Sequence, residues 1–279
     1  ESYFGLRGTE DLGGGLKAVF KLESEIAVDS GAASGGSSNF FGRNAYVGLA
    51  GDFGAVHAGR RESLFKEETT KFNPFGISGD FAFLSVGSDS WSNSLTYVSP
   101  SLSGLTLSAQ TSLKENNGST ATNYRSGGNA VSANYTAGAL GLSAVYGDVR
   151  STNASAANSQ QQAWLLGASY DFGVVKAFAQ YGQNKAENAA GAEAGKDKFY
   201  QLGAVVPVTQ AGAVHAAYGQ IKNDNAAAAD TESRKFSLAY HHTLSKRTGV
   251  YAGVAYTKAE VGSAETKTTT IAAGLRHAF

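Results

Sequence analysis

Residues 16–26 read Leu16-Lys17-Ala18-Val19-Phe20-Lys21-Leu22-Glu23-Ser24-Glu25-Ile26. Leu16, Ala18, Phe20, Leu22 and Ile26 fall on one face of an extended chain. Lys17, Lys21, Glu23 and Glu25 fall on the other. That is a period of two, the mark of a strand with one apolar and one polar side. A helix would scatter the four charges around its axis. The same alternation recurs at 2–9, 39–50, 54–61, 93–99, 105–114, 128–136, 140–148, 161–171, 174–184, 197–208, 212–222, 232–243, 247–258 and 267–279. With 16–26 the chain reads as fifteen strands.

The connections alternate between short and long. Thr9–Gly15, Gly51–Gly54, Pro100–Gly104, Ala137–Ala139, Phe172–Gly173, Thr209–Ala211 and Leu244–Arg247 are short. Residues 27–38, 62–92, 115–127, 149–160, 185–196, 223–231 and 259–266 are long, and most are rich in Ser, Asn, Ala and Gly. This sorting predicts an all-β, transmembrane, antiparallel up-and-down β-barrel with short turns at one end and long loops at the other. A soluble sandwich does not sort its loops this way.

Composition agrees. Of 279 residues 35 are Gly and 3 are Pro; Phe and Tyr number 15 and 13, with 2 Trp. Gly with aromatics suits tight turns and aromatic girdles. Mean hydropathy is −0.21, as expected where lipid-facing and lumen-facing residues cancel. No run approaches the roughly 18 apolar residues of a membrane helix, and residues 1–28 show no secretory leader pattern. The absence of cysteine removes thiolate and disulfide chemistry. A formal net charge of zero gives no reason to expect nucleic acid as a partner.

Following direction from strand to strand, 2–9 and 267–279 both run towards the short-turn end. Two such strands cannot close an antiparallel barrel, so a strand before residue 1 is expected, for sixteen in the intact protein and 15 visible here. Residues 1–279 then form a single barrel domain. About eight strands are filled by their own side chains, whereas about sixteen leave an aqueous lumen. Parity puts Arg7, Lys17, Lys21, Glu23, Glu25 and Arg43 on its wall.

Loop 62–92 carries Phe65, Phe72, Phe75, Phe81, Phe83, Leu84 and Trp91, together with Glu62, Glu67, Glu68, Asp80 and Asp89. So many aromatics do not suit an exposed loop. Folding it inward buries them and narrows the lumen. Its carboxylates are then expected to face arginines across the gap and set a transverse field.

Specific strings resemble the general, non-specific porins of Gram-negative bacteria, β-proteobacterial type. They are Gly5-Leu6-Arg7-Gly8-Thr9-Glu10-Asp11-Leu12-Gly13-Gly14-Gly15-Leu16-Lys17-Ala18, Phe41-Gly42-Arg43-Asn44-Ala45-Tyr46-Val47-Gly48-Leu49, Gly59-Arg60, Asn93-Ser94-Leu95-Thr96-Tyr97-Val98-Ser99-Pro100, Leu244-Ser245-Lys246-Arg247-Thr248 and Gly274-Leu275-Arg276-His277-Ala278-Phe279. The resemblance spans the chain. It implies a sixteen-stranded barrel in the outer membrane, a homotrimer, and a constriction loop at 62–92. It implies passive diffusion of ions and small hydrophilic solutes, no cofactor and no metal, with outer-membrane lipids and lipopolysaccharide around the wall. The terminal strand, with Leu275, His277 and Phe279, is expected to be read by the outer-membrane assembly machinery. Arg43 resembles an arginine of the constriction, and Arg60 one at the loop's root near the subunit interface. Arg7, Lys17, Tyr3, Glu62 and Asp80 complete the expected constriction set. The sequence departs from the family at Tyr3, at Trp91 and Ser92, and at Asn73-Pro74-Phe75-Gly76, where charges are lost. Weak ion selectivity is therefore expected.

An enzyme needs a nucleophile or activated water and an oriented base. Of His57, His215, His241, His242 and His277, the adjacent His241 and His242 alternate across a strand and cannot share one site. No His-x-Glu metal spacing occurs, so no catalysis is expected. An adhesin would need aromatic anchors in the outer loops; outside 62–92 only Tyr124 offers one. Gly13-Gly14-Gly15 precedes a strand rather than a helix, which argues against a phosphate loop.

Overall fold

The structure is a computed structural model that describes residues 2–33, 40–76, 78–83, 86, 89–113, 126–151, 160–188, 190–225 and 228–279. Its strands are β1 (Tyr3–Gly13), β2 (Leu16–Glu25), β3 (Asn44–Gly51), β4 (Gly54–Glu62), β5 (Ser90–Val98), β6 (Leu105–Ser112), β7 (Ser126–Ala137), β8 (Leu140–Ser151), β9 (Gln160–Asp171), β10 (Lys176–Glu187), β11 (Glu193–Pro207), β12 (Gly212–Asn225), β13 (Thr231–Thr243), β14 (Thr248–Val261) and β15 (Ala264–His277). They form one sheet in chain order, each strand antiparallel to the next. This is the up-and-down architecture expected from the alternation. Leu84 and Tyr124, singled out in the sequence, lie outside the described residues.

The register assigns faces. Arg7 lies opposite Lys21, Asp11 opposite Lys17 and Tyr3 opposite Glu25, while Glu23 lies opposite Asn44. These side chains share the inner face. Phe4, Leu6, Phe20, Val47, Leu49, Leu95, Tyr97, Leu107, Tyr146, Leu166, Tyr181, Leu202 and Ile271 are exposed on the outer face. An apolar outside around a polar inside inverts a soluble protein and matches a wall between lipid and water.

The strands reach further at the long-loop end than the sequence suggests. Loops expected at 185–196 and 259–266 shrink to 188–192 and to a two-residue turn at 262–263. That at 223–231 shrinks to 226–230. Polar strand ends look like loop, but here opposite charges pair across and along strands. Lys185 pairs with Glu187 (2.9 Å), and Lys258 with Glu260 and Glu265 (2.6 Å each). Favourable cross-strand pairs of this kind extend the ladder. The strand expected from residue 39 begins instead at Asn44, and that expected from 93 begins at Ser90.

Candidate functional site

The segment between β4 and β5 runs along the inner wall. It opens with a helix the sequence reading missed, α1 (Leu64–Lys71). Ser63 caps it, its Oγ accepting from Lys66 N at 3.1 Å. Glu67 in the first turn and Lys71 in the last complement the helix dipole. Eight residues with one apolar pair leave no periodic signal, but the cap and charge order were readable.

From α1 onward the loop crosses strand after strand. Asn134 on β7 donates to Glu68 at 2.7 Å, and Gln180 on β10 donates to Thr69 O at 3.1 Å. His215 on β12 bonds Pro74 O at 2.6 Å. Ser237 on β13 donates to Phe81 O at 2.9 Å, and Lys235 to Ala82 O at 3.0 Å. Phe81 meets Tyr251 of β14 edge-on. The loop therefore folds inward and lines the wall from β6 to β14.

Its apolar side chains seat on glycines. A Cβ on Gly147 would lie 2.9 Å from the Phe65 ring, on Gly167 2.6 Å from Phe72, on Gly203 2.5 Å from Pro74, and on Gly219 2.4 Å from Phe83. Each socket needs a missing side chain on the inner face. Phe65, Leu64 and Trp91 then join Val145, Leu165 and Phe199 in a buried cluster. Each buried aromatic contributes about 2–3 kcal/mol.

The root of this loop meets the β1–β3 wall. Arg43 stands just before β3, nine-tenths buried, with its guanidinium 3.4 Å from Glu23 and 2.9 Å from Glu62. It lies over the Tyr3 ring at 4.2 Å. Asn44 donates to Glu23 (2.7 Å) and accepts from Glu62 N (3.2 Å). Arg43, Tyr3 and Glu62 are thus one cluster that ties the loop's root to the wall. The expected transverse field is not what this geometry produces. Glu62 pairs with Arg43 directly, Glu67 with Arg61 at 2.8 Å, and Glu68 with Lys71 at 3.2 Å. The charges are compensated in contact rather than opposed across a gap.

Arg60 lies opposite Ala45, on the other side of the sheet from Tyr46 and His57. It donates to Gly42 O and to Ser92 Oγ. The β4–β5 register slips between Gly59 and Arg61, where β5 carries one extra residue and Asn93 adopts φ 51°. Arg61, which the sequence reading passed over, is the arginine that meets the loop. Arg7 and Lys17 stay exposed on the inner face of β1 and β2. Asp80 is exposed on the loop, two residues before the Ala82 carbonyl that Lys235 holds. His215 and His241 stack at 4.2 Å under the loop, while His242 and His277 bond Tyr240 and Thr248. Leu275 and Phe279 are exposed at the end of the chain.

Glu67 is partly buried in α1. Burial raises its carboxyl above the usual range, and the neighbouring Arg61 opposes the rise. The ionised form is thus disfavoured in the docked loop. Docking strengthens as pH falls through the raised range and levels off below the ordinary carboxylate value. Neutralising Glu67 also leaves the Arg61 charge uncompensated. Reversal potential across a salt gradient is expected to move towards anions on mild acidification, and Glu67→Gln to remove that part of the shift. An identical pH profile in the variant would dissociate Glu67 from the effect.

The sequence profile of the Gram-negative porins matches residues 1–262. Outer membrane porin protein 32 of Delftia acidovorans is 32% identical over the whole chain and 84% of its own length. Major outer membrane protein P.IA of Neisseria meningitidis serogroup C is 38% identical over 112 residues, which are 39% of this chain and 28% of that protein. An anion-selective porin from Comamonas acidovorans superposes with a TM-score of 0.84 at 31% identity, over 99% of this chain and 89% of that one. With a polar-lined sheet, an apolar outer face and an infolded loop, the chain belongs to the Gram-negative porin family.

Proposed function

We propose that the protein is a passive, water-filled channel of the outer membrane for ions and small hydrophilic solutes, with residues 62–92 as its constriction. The infolded loop carries this reading. It narrows a polar lumen on one side and leaves the Tyr3, Arg7 and Lys17 wall open on the other, with Arg43 at its edge. No chemistry beyond size and charge is asked of these residues. Purified protein in planar bilayers is expected to give discrete conductance steps in KCl; a sealed bilayer would sink the reading. Selectivity is weak, because Arg43, Arg61 and Lys71 each stand in contact with a loop carboxylate.

Antiparallel closure of the barrel asks for one further strand between β15 and β1, since the two run in the same direction. The functional unit is a homotrimer. Its contact is the outer face of β1–β4, where Ala18, Phe20, Val47, Leu49, Val56 and Ala58 line an apolar recess of about 610 Å³. Arg60, at the loop root, belongs to this side. Val47→Arg is expected to convert trimers to monomers in light scattering; persistent trimers would move the interface elsewhere.

Around the rest of the wall, an outward row of Tyr181, Tyr200, Tyr218, Phe236 and Tyr256 lies below Lys198, Lys222, Arg234, Lys258 and Lys267. Aromatics at the headgroup level with cations above suit outer-membrane lipids, lipopolysaccharide phosphates included. Ile271, Ala273, Leu275 and His277 share one outward face of β15, a surface for the assembly machinery.

A further inference from the structure

We propose that the outer vestibule holds a binding subsite for primary alkylammonium groups, built on Asn184, Asp197 and Asn223; it rests on the channel reading above. The three residues form one rung of the inner wall. Asn184 lies opposite Asp197, and Asp197 opposite Asn223. They line a polar recess of about 250 Å³ whose other side is formed by Phe65 and Trp91, next to the constriction loop.

The rung has a surplus of acceptors. Asn223 Nδ2 donates to Asp197 Oδ1, and Asn225 Nδ2 donates to Ala229 O at 3.1 Å. The side-chain oxygens of Asn184 and Asn223 are buried, and among the described residues no donor reaches them. Turning the Asn223 amide over would set its oxygen against the carboxylate, so electrostatics fixes this orientation. Asp197 also has no Lys or Arg partner among the described residues. The nearby Lys196 and Lys198 are one residue off the rung and face the outside, and Lys185, which borders the recess, pairs its ammonium with Glu187 and Glu193.

Two amide oxygens and a carboxylate ask for a ligand with donors and positive charge. A primary ammonium has three N–H donors, which these three groups match. A bare calcium ion seeks six to eight oxygens, more than the rung supplies. A neutral polyol would leave the carboxylate uncompensated. Amine-bearing solutes should therefore pause here before the constriction.

The test is putrescine added to the loop side of single channels that already conduct KCl, with tetramethylammonium as a cation lacking N–H donors. Putrescine should interrupt the current, and tetramethylammonium should not. Asp197→Asn, which conserves shape, should weaken the block at least about tenfold, the loss expected for a charge-assisted hydrogen bond. Its KCl conductance should remain, which reports a folded pore. Equal block by tetramethylammonium, block that survives in Asp197→Asn, or KCl current untouched by putrescine in the wild type would each overturn the subsite. Absence of KCl current altogether would instead overturn the channel reading.

Discussion

Replacing Arg43 with Ser is expected to shift reversal potential towards cations and to loosen the root of the constriction loop in the same variant. Arg43 joins the loop's first carboxylate to the β2 wall: it spans Glu23 and Glu62. Without it, Glu23 keeps Lys21 at 2.9 Å and Asn44 at 2.7 Å. Glu62 loses its cation and turns towards water, adding negative charge beside the aperture. Breaking a buried ion pair by removing one partner costs about 3–5 kcal/mol, and less at Glu62, which is partly solvated. Arg43→Lys should recover only part of this, because an ammonium cannot span two carboxylates as a planar guanidinium does. The double variant Arg43→Ser/Glu62→Gln should return reversal potential towards the wild type. Unchanged selectivity in Arg43→Ser would remove the residue from the permeation path.

The second large effect is expected from Phe65→Ala. The ring is buried on Gly147 among Leu165, Val145, Trp91 and Phe199. Truncating a buried Phe costs about 3–5 kcal/mol. None of the interstrand ladders uses this side chain, so the loss falls on loop docking and leaves the barrel closed to unfolding. Amides of residues 63–76 should lose hydrogen-exchange protection, and open-channel current should become noisy. Gly147→Val should reproduce both effects by filling the seat from the other side. Unaltered exchange in both variants would show that the loop is held by its polar contacts alone, through Asn134, Gln180, His215 and Ser237.

These two sites show where sequence reading stopped. Arg43 was identifiable by its place after Phe41-Gly42, but its pairing with Glu62 was not, because the partners are brought together only by the β2–β3–β4 register and the fold of the loop. Arg60 and Arg61 are adjacent and point to opposite faces, and the β3–β4 register, which sets Arg60 opposite Ala45 and Gly59 opposite Tyr46, decides that Arg61 is the one that meets the loop. The aromatics of 62–92 announced burial, yet not their path. Their seats are single glycines on β8, β9, β11 and β12, each silent in its own strand.

The outer ends of β10–β15 taught a related lesson. Lys185, Glu187, Glu260 and Glu265 read as loop because charge lies where a strand should alternate. Paired across neighbours, the same charges prolong the strands.

What the sequence by itself determined is the sheet: fifteen alternating segments, their antiparallel order, the polar inside and the apolar outside. That information is local, since a period of two is written within each strand and turn residues mark its ends. Only the tertiary structure decided the course of the constriction loop, the charge compensation around Arg43 and Arg61, and the acceptor rung at Asn184, Asp197 and Asn223. Those depend on register and on side chains absent from the wall, and both emerge only when distant strands stand next to one another.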